Sequence, residues 1–460
     1  MASGSVVLRA FIGAGAGFAG DRTDAAGPVV DALIGCDGLR FLMFETLAER
    51  TLALAQLERR RDPTRGFSPA LERFVAPVLA RCLQHGIRIV GNFGAANPRA
   101  GAARILQLAQ QLGLAPPVVA VVEGDDVAEK LAPAEFAARE VDGAILQGAN
   151  EIVAANLYLG AAPIAQALHQ GADIVVTGRV ADSALALGPL MHAFGWRAEQ
   201  WDRLAAGTLA GHLLECGAQI TGGYFADPGF KDVPELAAIG YPLAEISASG
   251  EIVVTKPAGT GGRVDRLTVT EQMLYEIHDP SAYLAPDVVL DLSEVTVAEI
   301  GPDRVRVSGA RGKPAPDALK ATVCVDGGVL GEAEISYAGP NAAARARLAA
   351  DIVAVRLRER APALRFRVDA IGAVSVLGDT AGAWQRDWGE RDDIRLRFAA
   401  QSRNAAEVEL LLDEVEALYC AGPAGGAGVR RRITPRLASA SCLIERRYAE
   451  PTVTLLGGGG

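Results

Sequence analysis

The chain has no apolar run near the roughly 18 residues that a membrane-spanning helix requires, so no membrane partner is expected. Its first residues show no charged segment followed by an apolar core and a small-residue cleavage site, so no secretory signal is expected either. Cysteine is sparse: Cys36, Cys82, Cys216, Cys324, Cys420 and Cys442 lie far apart in 460 residues, with no CxxC pair. That spacing argues against a disulfide framework or a zinc ribbon and suits reduced thiols in a cytoplasmic protein. Histidine is scarcer still, with only His85, His169, His192, His212 and His278. A basic surplus is also missing: 45 Lys and Arg against 55 Asp and Glu give a net charge of −10, which disfavours nucleic acid as a partner. There is no Walker lysine motif and no repeat at solenoid or propeller period.

What the chain does have is apolar residues (50%), 52 glycines and more length than one core usually fills. Five short β-branched or apolar runs, at 6–12, 39–44, 87–90, 118–122 and 173–177, alternate with helical patterns at 47–60, 68–84, 101–112, 134–141, 161–170 and 182–194. Strand-helix alternation predicts parallel strands with right-handed crossovers. The expected class is α/β, with a doubly wound, mainly parallel sheet over 6–221. Prolines multiply after Thr221 and helical periodicity weakens until 341–358, which suggests a second, mixed α+β domain over 222–455. Residues 1–5 and 456–460 read as flexible tails.

After the first strand comes "FIGAGAGFAGD", where Gly15, Gly17 and Gly20 satisfy G-x-G-x-x-G. The remainder of the dinucleotide fingerprint is absent. Gly27-Pro28 interrupts the helix that should follow, and Glu45 lies about 25 residues beyond Gly20 where about 20 is expected, so NAD is not the expected cofactor. Two readings remain: glycines that only permit a tight turn, or one wall of an anion pocket. Their company favours the second, because every strand end carries polar groups. These are Asp21 and Arg22, then Glu45 with Glu49 a turn later, then Asn92 and Asn97. Asp125 and Asp126 follow, then Arg179, Asp182 and Ser183. Ligands of open parallel sheets bind beyond the carboxyl ends of the strands. Arginine there suits a carboxylate or phosphate, and clustered acids can share protons or hold a divalent cation.

A second group lies in "AGHLLECGAQ", where His212 and Glu215 share a helix face and Cys216 follows at i+4, a set able to move protons or bind a metal. Lys256, beside the glycines of "TKPAGTGG", reads as either a further anion contact or a solvated tip at a strand-loop junction. "GPAGGAGVRRR" reads as either a phosphate nest or a turn with a basic flank.

Taken in order, "GAGAGFAGDR", "ETLAERTLALAQ", "GNFGAANPRAG", "VEGDDV", "DIVVTGRVADSALALGPLMHAFGW", "AGHLLECGAQITGGYFADPG", "TKPAGTGG", "QMLYEIHDPSAYLAPDV" and "GPAGGAG" resemble the acyclic terpene utilisation protein A family, AtuA, over nearly the whole chain. The resemblance implies breakdown of citronellol- and geraniol-type compounds, in which branched acids travel as coenzyme A thioesters alongside a biotin-dependent carboxylase. Many relatives carry a further small C-terminal domain, so a separately encoded small subunit is one expected partner, with homo-oligomerisation another. The resemblance transfers no catalytic residue. Two functions follow. One is an enzyme, a hydratase or dehydratase (hydro-lyase) or a proton-transfer catalyst, acting on a branched carboxylate or acyl-CoA. Asp125, Asp126, Asp182, His212, Glu215 and Cys216 would be its catalytic groups. Gly15, Gly17, Asp21, Arg22, Glu45, Asn92, Asn97, Arg179 and Lys256 would bind substrate. The other is a non-catalytic subunit that binds acyl-CoA or joins a carboxylase.

Overall fold

The computed structural model describes residues 8–141 and 143–458; the first two residues of the expected strand at 6–12 lie outside them. The chain divides into two compact units. One runs to Cys324 and resumes at Ser439, and the other is Val325–Ala438.

In the first unit the alternation read from the sequence is realised. The elements are β1 (Arg9–Ala16), α1 (Ala26–Ile34), β2 (Leu39–Phe44), α2 (Glu49–Arg61), α3 (Leu71–Val75), α4 (Leu79–Gln84), β3 (Arg88–Gly91), α5 (Pro98–Gln111) and β4 (Val118–Glu123). After them come α6 (Pro133–Ala137), β5 (Ala154–Leu157), α7 (Ala162–His169), β6 (Ile174–Thr177), α8 (Ala184–Phe194) and α9 (Trp201–Glu215). The helix expected over 68–84 is two helices, because Pro77 follows the last turn of α3 and has no N–H to continue the ladder. α5 starts where the sequence signals a start: Asn97 caps it by accepting from the Ala100 amide, and Pro98 occupies the first turn.

Strands β1, β2, β3, β6 and β4 pair in that order, all parallel. Their side chains alternate between two cores. Phe11, Leu42, Ile89, Val121 and Val176 pack with α1, α3, α4 and α5. α7, α8 and α9 cover the opposite face, where the Phe41 ring meets His192 of α8 edge-on. The sheet is therefore doubly wound. β6 steps back between β3 and β4, and a right-handed crossover in that reversed direction places its helices on the opposite face. β3 and β6 are thus neighbours whose following helices diverge, which makes the gap beyond their carboxyl ends the topological switch point.

The same sheet grows at both edges by antiparallel strands. β7 (Leu243–Ser247) and β8 (Ile252–Thr255) extend it beyond β1; α10 (Arg266–Leu274) follows. β9 (Tyr283–Leu284) and β10 (Val289–Asp291) come next. Then β11 (Thr296–Gly301) and β12 (Arg304–Ser308) complete that edge. β13 (Arg311–Lys313) joins β10 and β9 in a small separate sheet.

Within the second unit, β14 (Ala318–Ala338, entering at Val325), α11 (Ala342–Arg360), β15 (Phe366–Ile371), β16 (Asp393–Ser402), α12 (Ala405–Glu416), α13 (Leu418–Ala421) and β17 (Ala427–Glu445, leaving at Ala438) form an antiparallel sheet under helices. Ile335, Leu396, Phe398, Val353 and Leu411 are among its core residues. Two arginines of its triple run are paired: Arg431 with Glu409, Asp413 and Glu416, and Arg432 with Glu332. Back in the first unit, β18 (Thr452–Gly457) closes the far edge against β4, so Leu456 and Gly457 are strand residues.

Among the described residues, no helix is long and apolar enough to cross a membrane.

Candidate functional site

The glycine stretch is a packing device. β1 ends at Ala16 and α1 begins ten residues later, so no helix N-terminus faces the loop. A Cβ on Gly15 would lie 2.4 Å from the Phe44 ring, and one on Gly17 would lie 2.4 Å from the Cys216 carbonyl carbon. Contact between two backbones requires glycine. Asp21 closes the loop by accepting from the Gly17 amide (2.7 Å) and the Tyr241 hydroxyl. Arg22 pairs with Asp24 at the surface. The loop thereby brings β1 against the end of α9, where Glu215 and Cys216 stand.

Beside it, at the switch point, four strand ends place their polar groups together. Glu45, after β2, accepts from the Leu47 amide and the Asn92 side chain, both at 2.8 Å. Asn92, after β3, holds Glu45 with its amide nitrogen, and its oxygen accepts from the Thr46 amide at 2.7 Å. Arg179, after β6, is 1% exposed and its fork is spent inward. Nε donates to the Val180 carbonyl at 2.8 Å, Nη1 to the Leu47 carbonyl at 2.6 Å, and Nη2 to Val180 and Asp182. Asp125, after β4, accepts from the Arg179 amide (3.0 Å) and from Asn156 (2.8 Å). Arg179 also stacks on Tyr158, 4.4 Å from the ring centroid, and the Tyr158 hydroxyl donates to Glu49 at 2.7 Å. Lys320 lies over the same ring and bonds Glu49 at 3.3 Å.

On α9, the i, i+3 spacing read from the sequence gives a His212 Nδ1 to Glu215 Oε1 contact of 2.9 Å. Tyr283 of β9 lies against the imidazole, ring centroids 5.8 Å apart. Glu215 belongs to the same electrostatic neighbourhood as the strand ends, since the Asp182 charge acts on both Glu45 and Glu215.

Burial sets the protonation of this group. It holds the Glu45 carboxyl well above the usual range; Asp182 adds to the shift, while Arg179, Asn92 and the Leu47 amide oppose it. Burial likewise raises Glu215, with Asp182 and Glu276 adding and His212 opposing. For His212, burial favours the neutral ring but Glu215 outweighs it, so its pKa is raised. Burial also pushes the Cys216 thiol up to about 12, so the sulfur is protonated at neutral pH and is no nucleophile. Glu49 moves the other way: burial raises it, but Tyr158, its own backbone amide and Lys320 outweigh that and lower it.

Asp125 sits at about 6, raised first by burial against the hydrogen bonds from Arg179 and Asn156. A carboxyl that is easier to protonate in the fold than in the open chain contributes stability below its unfolded pKa and loses it as pH rises through the folded one. Asp125→Asn keeps the acceptor and removes the charge. Between pH 4 and 6 its stability should therefore fall less than that of the wild type, by about 2 kcal/mol, since each pH unit is worth at most about 1.36 kcal/mol. Urea midpoints at several pH values measure the difference.

Of the remaining candidates, Asn97 and Lys256 stand apart from this group, whereas Asp126 adjoins Asp125 through Gln56 and Asn156. Asn97 caps α5 and donates to the Pro63 and Arg65 carbonyls. Asp126 accepts from Gln56 and the Ala128 amide. Lys256 braces its own loop through the Thr260 carbonyl (2.7 Å) and Asp303 (3.3 Å). Among the described residues, no three His, Cys, Asp or Glu side chains converge to hold a metal ion. Tyr158, Tyr283 and Lys320 escaped the sequence reading; only Tyr283 falls inside a quoted motif, and none carries a spacing signal.

A family model described as acyclic terpene utilisation family protein AtuA matches residues 10–455. The chain belongs to the AtuA family. The match spans both units, so the switch-point group and the α9 pair are parts of an AtuA-family fold rather than of an appended module. None of the curated proteins compared with the chain matches it.

Proposed function

We propose that this AtuA-family chain is an enzyme that moves a proton, or adds or removes water, at a branched acyl group in acyclic terpene breakdown. The observation that carries the reading is the pair of buried carboxyls with raised pKa, Glu45 and Glu215, both coupled to the Asp182 carboxylate that Arg179 orients. A buried carboxyl held above its ordinary range keeps its proton to higher pH than a free one and is suited to exchange it with a substrate. In hydration, the His212–Glu215 pair takes a proton from water as its oxygen joins the β-carbon, and Glu45 delivers one to the α-carbon. The net proton count is unchanged. Arg179 and Asn92 act as positioning residues, because Arg179 holds Asp182 and Asn92 holds Glu45. A thioester suits the site better than a free acid, since a carboxylate would enter among Glu45, Glu49, Asp182 and Glu215.

The protein in D2O, given methyl-branched enoyl and 3-hydroxyacyl compounds as free acids and as coenzyme A thioesters, should place deuterium at the α-carbon, read by mass spectrometry. A panel that binds but returns unlabelled and unchanged would favour the acyl-CoA-binding subunit instead.

A further inference from the structure

The hairpin β9–β10 is fastened to the site at two points. In its first strand, Tyr283 lies against the His212 imidazole, ring centroids 5.8 Å apart and planes tilted by 44°. In its turn, the Asp287 carboxylate accepts from the Ala161 amide, 3.0 Å from each oxygen. Ala161 lies three residues after Tyr158, and Leu159 between them binds the Arg179 segment. The Leu159 amide donates to the Arg179 carbonyl at 3.4 Å, and its carbonyl accepts from the Ala181 amide at 2.8 Å. α9 meets that segment as well, because a Cβ on Gly211 would collide with the Ser183 carbonyl. The hairpin therefore spans from the His212–Glu215 pair to the loop that carries Arg179 and Asp182, and Tyr283 stands at their junction. Its side chain is partly buried. Burial raises the phenol above its usual pKa and the charges of Glu215 and Asp182 add to that, so the hydroxyl is a protonated donor at neutral pH.

Hydration at this site needs such a donor. As the water oxygen joins the β-carbon, the electron pair of the double bond moves onto the thioester oxygen, in a site that already holds Glu45, Glu49, Asp182 and Glu215. Negative charge developing there requires a hydrogen-bond donor facing it. Arg179 is turned to Leu47, Val180 and Asp182, while the Tyr158 hydroxyl and Lys320 both bind Glu49. Tyr283 differs from all three: its hydroxyl has no hydrogen-bond partner among the described residues, although tyrosine hydroxyls usually find one on burial. We propose that the Tyr283 hydroxyl bonds the thioester carbonyl oxygen of the substrate and stabilises the enolate that forms on it. The inference rests on the hydration reading and adds the group that faces the substrate's oxygen. The phenol keeps its proton throughout. The electron pair returns from the oxygen as Glu45 delivers its proton to the α-carbon, so Tyr283 neither gains nor loses charge.

Tyr283→Phe removes the hydroxyl and keeps the ring against His212, so it should melt at the wild-type temperature. With methyl-branched enoyl coenzyme A thioesters, its kcat for water addition should fall about 10²- to 10³-fold, the usual cost of one oxyanion donor, with KM changed far less. A second measurement needs no turnover. A saturated methyl-branched acyl thioester, which cannot take up water, is bound with its carbonyl carbon labelled and its carbonyl stretch read by isotope-edited infrared spectroscopy. The stretch should lie below its value in water on the wild type and return toward that value on Tyr283→Phe. An equal stretch and an equal kcat in both proteins, or no binding of any thioester, overturns the proposal. So does a shift that survives in Tyr283→Phe and disappears in Lys320→Met, which would make the lysine the donor. Deuterium incorporation that Tyr283→Phe leaves unchanged would sink the tyrosine and spare the hydration reading. A carbonyl shift that depends on Tyr283, in a protein that neither incorporates deuterium nor adds water, would sink the hydration reading and spare the tyrosine as the carbonyl donor.

Discussion

Arg179→Met should unfold several degrees below the wild type in a thermal melt and cost about 3–5 kcal/mol, the penalty for breaking a buried ion pair from one side. The side chain reaches two backbone carbonyls, Leu47 and Val180, and one carboxylate, Asp182, from a position with 1% exposure. Methionine keeps the unbranched stem but ends where Nε stands, so the vacated guanidinium volume adds to the cost. The guanidinium bonds to three buried or half-buried acceptors are also lost, and each acceptor is left to bear its own desolvation. Lysine is expected to rescue little, because one ammonium cannot meet three acceptors spread over a planar fork. A melt of Arg179→Met within 1 °C of the wild type would show that the loops after β2 and β6 hold together without the guanidinium.

Most of the parallel half of the fold was legible, because each strand there is a short apolar run and each crossover contains its own helix. Ile174–Thr177, for example, is four buried residues between α7 and α8. The order of the strands was not legible. Nothing in that run states that it lies between β3 and β4, since parallel partners are chosen by crossover geometry and not by neighbouring residues. The change of texture after Thr221 is real, but what changes is pairing direction: β7 joins β1 antiparallel in the same sheet. At the site, residue types and helix spacing were enough to bring out Glu45, Asn92, Asp125, Arg179, Asp182 and the His212–Glu215 pair. Their duties were not readable. A sequence shows that Arg179 can bind an anion, and only packing shows that its fork is already taken by the backbone. The same limit applies to Gly15 and Gly17. Their spacing matches a phosphate loop, yet close approach to the Phe44 ring and the Cys216 carbonyl accounts for both.

Glu45→Gln should lower turnover about 10²- to 10⁴-fold, the usual contribution of a general acid or base, and should leave folding intact. The amide oxygen can still accept from the Leu47 amide and from Asn92, so the side chain keeps its place and loses only the proton that it exchanges. A general acid must be protonated to act, and burial raises the pKa of Glu45 well above the ordinary glutamate range. Wild-type kcat should therefore hold on the acid side and fall as pH rises through that shifted value, whereas the residual rate of Glu45→Gln should lack this limb. Asp182 contributes part of the shift through its charge. Asp182→Asn should accordingly move the limb to lower pH, by lifting like-charge repulsion from Glu45, while Glu45→Gln removes it. A Glu45→Gln enzyme with full turnover and an unaltered pH profile would take the carboxyl out of the chemistry and leave it only as the group that orders Leu47 and Asn92.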